Sequence, residues 1–394
     1  MGVQITGIGI VSAIGKTVAE NLGALKSGRS GIAPVQYLKE RPELLVGEVK
    51  IGNAELIDKL AINNPNISRT SLLGLTAARE AWGNSPHHSG IRTGIISSTS
   101  VGGMDRSEWF YRDFLKQGNP DYEVLLCHDS GNTTERIARE LGISGYINTL
   151  STACSSGVNA IMLGARLIQQ DKLDRVLVGG TDALTSFTVN GFKSLMIYDD
   201  AWCRPFDESR TGLNLGEGAA FLLLENDKSA AISGNKTLCY VKGWANAADA
   251  YHQTASSPDG KGATMAIQKA IKLSGVGIDK IDYVNAHGTG TKNNDLSESV
   301  ALKNVFGDAI PPFSSTKPFT GHTLAAAGAI ESVFSVLAIQ HNLIYPSLNF
   351  TTPIAEAGLI PVTDLITDRE VNTVLSNSFG FGGNNSSVVF SSTL

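Results

Sequence analysis

Two stretches of this chain, "INTLSTACSSGVNAIMLGARLIQQDKL" and "PPFSSTKPFTGHTLAAAGAIESVFSVLAIQHNL", share one plan without sharing letters. Each runs from a short apolar strand through a Ser/Thr-rich turn into a helix. The helix opens with Gly, Ala and Ser and stays apolar on nearly every side. A surface helix carries a single apolar stripe, so a helix that is apolar all round has to be buried all round. Two such helices demand an internal layer of their own, and their small residues predict that they pack closely on each other. The repeated plan predicts a duplicated architecture.

Short Val/Ile-rich runs alternate with helical patterns through the rest of the chain. "VQITGIGIV", "RTGIISSTS", "DRVLVGGTDA" and "AAFLLLEN" come first, followed by "LCYVKGWAN", "KIDYVNAHG", "TVLSNSFGF" and finally "SSVVFSS". That alternation reads as α/β with mostly buried strands. With 42% apolar and 18% charged residues in 394, the chain can build a large core in one or two domains.

Charge and cysteine usage narrow the function classes. A net charge of -5 argues against nucleic acid as the partner, because a phosphate-tracking surface shows as a basic excess. The four cysteines form no C-x-x-C pair, which predicts free thiols in a reducing compartment. The N-terminus lacks the charged and apolar regions of a signal peptide, and no run of about 18 uninterrupted apolar residues occurs. A cytoplasmic protein without a membrane segment is expected.

Chemistry is concentrated at a few turns. Gly7 and Gly9 of "TGIGIVSAIG" follow a strand, but their spacing is not G-x-G-x-x-G and no acidic strand end follows about 20 residues later. They read as strand and turn glycines rather than a dinucleotide site. Cys154 of "STACSSG" precedes a helix, where it is either a small buried hydrophobe or a thiolate stabilised by the helix N-terminus. Three later stretches favour the second reading. His287 lies in the Gly/Thr loop of "VNAHGTGTKNND", Lys317 and His322 stand five residues apart at the mouth of the second apolar helix, and "SNSFGFGGNN" supplies a glycine-dense turn.

In family order, "TGIGIVSAIG", "STACSSG", "VLVGGTDA", "CRPFDESRTGLNLGEGAAFLLLE", "NAHGTGTKNNDLSE", "KPFTGHTLAAAGAIE" and "SNSFGFGGNN" resemble the β-ketoacyl-[acyl carrier protein] synthases of the thiolase superfamily, in their elongating Cys-His-His form. The resemblance spans the chain, departing at Gly290, where the family usually has Ser, and at Ala325, where it usually has Gly. It implies a thiolase-like fold, duplicated βαβαβ halves in a layered αβαβα arrangement. Residues 1–235 would carry the nucleophilic cysteine and 236–394 the histidines and lysine. The implied activity is decarboxylative Claisen condensation of malonyl-ACP with an acyl chain held on Cys154, in fatty acid or polyene/polyketide-type biosynthesis, with no cofactor.

The resemblance also assigns roles. His287 and His322 would donate N–H bonds to the enolate oxygen, and Lys317 would order the site with Glu298 as its carboxylate partner. The amides of Cys154 and Phe381 would form the oxyanion hole, with the Phe381 ring as gate. Glu331 is the family's buried glutamate, in a structural or a catalytic role. Val101, before the paired glycines of "SSTSVGGM", would line the acyl pocket, and Arg69 would dock the acidic acyl carrier protein unless it is an ordinary solvated arginine. Assembly is expected as a homodimer, or as a heterodimer with a chain-length-factor-like subunit.

Three other functions compete. A cysteine hydrolase would use Cys154 and His287 with Asn285 nearby but leaves Lys317 and His322 without work. A biosynthetic thiolase needs a second catalytic cysteine, and none follows Cys239. A non-catalytic chain-length-factor subunit usually lacks the nucleophile that Cys154 supplies.

Overall fold

The structure is a computed structural model that describes residues 2–38, 43–64, 66–118 and 121–394. Its strands are β1 (Gln4–Val11), β2 (Ala33–Pro34), β3 (Leu45–Val46), β4 (Thr93–Ser98), β5 (Tyr146–Leu150), β6 (Arg175–Asp182), β7 (Gly218–Glu225), β8 (Cys239–Ala248), β9 (Tyr283–Asn285), β10 (Phe313–Ser314), β11 (Thr373–Gly380) and β12 (Asn384–Ser391). Apart from the small β2–β3 ribbon, they join in one sheet of order β10-β9-β11-β12-β8-β1-β7-β6-β4-β5.

The duplication is visible in that order. From the centre outward, the first half runs β1, β7, β6, β4, β5 and the second runs β8, β12, β11, β9, β10. In both halves the first two pairings are antiparallel and the last two parallel. The halves meet where β1 pairs with β8 through Gln4–Tyr240 and Ile5–Cys239.

The two helices apolar all round occupy the middle layer. Helices Ser156–Gln169 and Ala327–His341 share one hydrophobic core with the inner faces of both half-sheets. They approach through their glycines. A Cβ on Gly157 would stand 2.6 Å from the Ala329 amide nitrogen, and one on Gly328 would stand 2.8 Å from the Val158 side chain. Separate clusters form the outer layers, helices Arg69–Trp82 and Ser130–Glu140 on the first half and Lys261–Ser274 and Lys292–Phe306 on the second. The result is the expected α/β arrangement of five layers.

Gly7 and Gly9 prove to be packing residues. A Cβ on Gly7 would lie 2.1 Å from the Ala81 carbonyl oxygen, and one on Gly9 would lie 2.0 Å from that of Ala77. Their bare backbone lets helix Arg69–Trp82 lie directly on β1. One stretch, Leu324–His341, is long and apolar enough to cross a membrane, yet 89% of it is buried inside the molecule as the core of the middle layer.

Candidate active site

Cys154 sits in the turn between β5 and the first central helix, which begins at Ser156. The turn is held by its own hydroxyls. Ser156 Oγ accepts from the Thr152 amide at 2.7 Å and donates to the Ala153 carbonyl at 2.5 Å, while Ser155 Oγ donates to the Thr152 carbonyl at 2.8 Å. Ala153 pays with a left-handed backbone, φ 53°. The end of β11 abuts this turn: Ser378 Oγ donates to the Cys154 carbonyl, and the Phe381 amide donates to the Cys154 thiol.

His287 follows β9, where its amide and that of Gly288 donate to the two oxygens of Glu298 at 2.9 and 2.8 Å. Asn377 Nδ2 donates to the same carboxylate at 3.1 Å. Glu298 therefore shapes the His287 loop and is not the partner of Lys317, as the resemblance implies. Its place is taken by Glu331. Lys317 Nζ lies 2.5 Å from Glu331 Oε1, 2.5 Å from the His287 carbonyl and 3.2 Å from His287 Nδ1. These three contacts use all the donors of an ammonium group. Sequence proximity favours Glu298 beside His287, but Glu331 reaches Lys317 from inside the second central helix.

The two imidazoles cross at 86° with centroids 5.4 Å apart. An ammonium group can only donate, so His287 Nδ1 accepts from Lys317 and its proton resides on Nε2. His322 reaches the same tautomer differently, because its Nδ1 accepts from the Leu324 amide at 3.2 Å. Its backbone is fixed as well, the amide donating to the Asn214 carbonyl and the carbonyl accepting from Gly216. Burial and the Lys317 charge hold both imidazoles well below their ordinary pKa, so both are neutral Nε2–H donors.

The thiolate expectation needs correction. Burial pushes the Cys154 thiol up to about 11, against the opposing pull of Lys317 and the Phe381 N–H. Cys154 precedes the helix rather than capping it, with Ser155 at the N-cap, and its resting form is the thiol. Burial pushes the Glu298 carboxyl up to about 7, against the N–H donors that face it.

A cavity of about 460 Å³ brings Cys154, His287, His322 and Phe381 together. Phe192 and Met196 form part of its wall, and the Phe192 ring stacks on Phe381 at 5.6 Å. Neither residue stood out in sequence, nor did Asn214: Phe192 lies in helix Ser186–Ser194 and the other two in loops, and no local pattern signals which residues a distant segment will face. Val101 does not line this cavity; it packs against the cluster of Leu184, Val189 and Leu213, and only Leu213 of these reaches the cavity. Arg69 is buried rather than presented to a carrier. Its guanidinium pairs with Glu217 at 2.6 Å and donates to the Val49 and Ile51 carbonyls.

Comparison with known proteins decides the family. The N-terminal domain of the β-ketoacyl synthases matches residues 2–230, and the C-terminal domain of the same enzymes matches residues 238–351. The chain belongs to the β-ketoacyl synthase family. Among curated relatives of this synthase, the 3-oxoacyl-[acyl-carrier-protein] synthase 2 of Staphylococcus aureus (strain COL) is 35% identical over 98% of this chain and 97% of its own. The synthase of that name from Coxiella burnetii is 31% identical over 99% and 98%. Among solved structures, the ishigamide ketosynthase/chain length factor superimposes with a TM-score of 0.93 at 30% identity, covering 99% of both chains. A ketosynthase in complex with its chain length factor from Xenorhabdus doucetiae gives 0.86 at 31% identity over 99% and 98%. As members of an acyltransferase family, such chains are condensing enzymes of fatty acid or polyketide synthesis.

Proposed function

We propose that this ketosynthase extends an acyl chain held on Cys154 by decarboxylative condensation with malonyl-ACP. The observation that carries the reading is the pair of neutral imidazoles, both with Nδ1 engaged as an acceptor, in the cavity that holds the cysteine.

In the first half-reaction, Cys154 Sγ attacks the acyl-ACP thioester carbonyl. The carrier thiolate leaves, and the thiol proton of Cys154 ends on it. Oxyanion charge falls to the amides of Cys154 and Phe381. In the second, the malonyl carboxylate departs as carbon dioxide, and the electron pair of the broken C–C bond moves into the thioester carbonyl as an enolate. The two Nε2–H groups stabilise that oxygen, and neutral donors do so without protonating the carbanion. The carbanion then attacks the Cys154 thioester and expels the cysteine thiolate, which takes a proton from solvent. Lys317 and Glu331 keep His287 oriented throughout. Phe381, stacked on Phe192, gates the acyl channel.

The hydrolase alternative is disfavoured by the direction of one bond. A Cys-His hydrolase needs a proton on the outer imidazole nitrogen for an Asn or Asp to hold, whereas His287 Nδ1 faces a lysine. The reading takes residues 1–235 and 236–394 as the two repeated units and a reducing cytoplasm as the setting, in keeping with four unpaired cysteines. Solved relatives include an acyl carrier protein in complex with its ketosynthase and a ketosynthase with its chain length factor. By the same reasoning this chain works on carrier-bound substrates as a homodimer or beside such a partner.

Malonyl-ACP and a panel of acyl-ACP primers, followed by mass spectrometry, test the reading. Expected are a β-ketoacyl-ACP two carbons longer than the primer and an acyl adduct on Cys154 alone. An His322→Ala variant is expected to acylate normally and to lose carbon dioxide release by about 10²–10³-fold. Release at the wild-type rate in that variant would overturn the role given to His322.

A further inference from the structure

Asp182 ends strand β6 fully buried, and it does not reach the active-site cavity. Its carboxylate nevertheless joins two segments that lie far apart in sequence. Oδ1 accepts from Thr99 Oγ1 at 2.5 Å, from the Ser100 amide at 2.9 Å and from the Val101 amide at 3.3 Å. Oδ2 accepts from the Ala325 amide at 2.8 Å and from Ser100 at 3.1 Å. Ala325 follows Leu324, the residue whose amide sets the tautomer of His322. Leu324 holds φ 54°, a left-handed conformation that a leucine keeps only when its surroundings impose it.

We propose that Asp182 is a positioning residue for condensation: by anchoring Ala325 it holds the Leu324 turn in the one conformation that fixes the His322 proton on Nε2. The inference rests on the reading of His322 as an enolate donor. It explains why a carboxylate is buried there, where a hydroxyl and three backbone N–H groups supply its hydrogen bonds. Donors face both of its oxygens, so an amide could serve the Thr99–Val101 turn or Ala325 but not both, since its NH₂ end would confront another N–H or O–H. Burial pushes this carboxyl up to about 6, and its five hydrogen bonds oppose that push, the largest coming from Thr99. If Ala325 is released, Leu324 can relax toward the right-handed region and turn its amide away. His322 Nδ1 then loses its donor, and the ring is free to carry its proton on either nitrogen.

The test combines a spectroscopic and a kinetic readout on the full-length protein. Chains with ¹⁵N-labelled histidine are compared as wild type, Asp182→Asn and Asp182→Glu, with the His322→Asn spectrum assigning the His322 resonances. Wild type is expected to show His322 neutral and protonated on Nε2, and Asp182→Asn to show a mixture of tautomers. Because a misplaced group costs about 10²-fold, carbon dioxide release from malonyl-ACP by Asp182→Asn should fall on that order, while acylation of Cys154 continues at the wild-type rate. Asp182→Glu keeps both acceptor oxygens and should recover much of the loss. Wild-type tautomer and decarboxylation in Asp182→Asn would overturn the proposal, as would an equal loss in both half-reactions, which is what a merely structural role predicts. If Asp182→Asn does not fold, a wild-type His322 protonated on Nδ1 is enough to reject it. A wild type that neither acylates nor decarboxylates would remove the condensation reading instead, and the tautomer comparison would still judge Asp182.

Discussion

Burial that pushes the Cys154 thiol up to about 11 gives the resting enzyme a protected nucleophile, and it fixes how the thiol should respond to pH. Below its pKa the thiolate fraction grows tenfold per pH unit, so alkylation of Cys154 by iodoacetamide should rise about 100-fold from pH 7 to pH 9 without levelling off. A plateau below pH 9 would mean that the thiol is activated. The histidines act in the opposite sense. Their depressed pKa values keep the neutral donor form present down through pH 6.5, and it is lost only as pH falls through the lowered values. The histidines should therefore contribute no ionisation near pH 6.5 to decarboxylation, and a step seen between about pH 6 and 7 belongs to the buried carboxyls of Asp182, Glu298 and Glu331, which burial raises into that range. Removing one partner of a buried ion pair strands the other charge, so Arg69→Ala should cost about 3–5 kcal/mol in urea denaturation. Unchanged stability with a salt-dependent rise in KM for acyl-ACP would return Arg69 to the docking role.

At the scale of elements, the middle layer is the most tightly constrained part of the molecule. Gly157 and Gly328 let the two central helices touch backbone to backbone, and those helices carry Cys154 at one mouth and Glu331 within the other. A side chain at this contact moves the nucleophile relative to the histidines as well as straining the core. Gly157→Ala puts a methyl group 2.6 Å from the Ala329 amide nitrogen and should destabilise the protein by about 1–3 kcal/mol, read as a lower Tm. An unaltered Tm would show that the helices can separate freely.

The whole molecule presents one sheet edge that is finished and one that is not. At one end β10 is fully buried, whereas at the other β5 exposes Tyr146 and Ile147. Trp109, Tyr111, Leu115, Tyr122 and Leu126 are exposed as well, and an unpaired strand edge is itself a template for pairing with another chain. A second copy, or a chain-length-factor-like partner, covers this face in the assembly we expect. Light scattering should give about twice the 41.6 kDa chain mass, and Ile147→Asp should lower it. A wild-type mass that stays at one chain would leave the different-subunit partner as the surviving form.

The layers and the cast of reactive groups were legible before any fold was known. Helices apolar all round can only be internal, Val/Ile runs between them can only be buried strands, and a cysteine, two histidines and a lysine at strand ends and helix mouths can hardly all be core residues. Which groups touch was decided by tertiary structure. Glu298 is nearer in sequence to His287, but Glu331 meets Lys317 because the second central helix points it there. Arg69 reads as a surface cation in its own segment, yet it pairs with Glu217, distant in the chain, once helix Arg69–Trp82 lies on the glycines of β1. The His322 tautomer depends on a left-handed leucine and an aspartate from another half of the fold. Periodicity and composition report which face of an element is buried, because burial is a property of the element. Partners, protonation and pocket walls depend on where separate elements cross, and that is set only when the whole chain has packed.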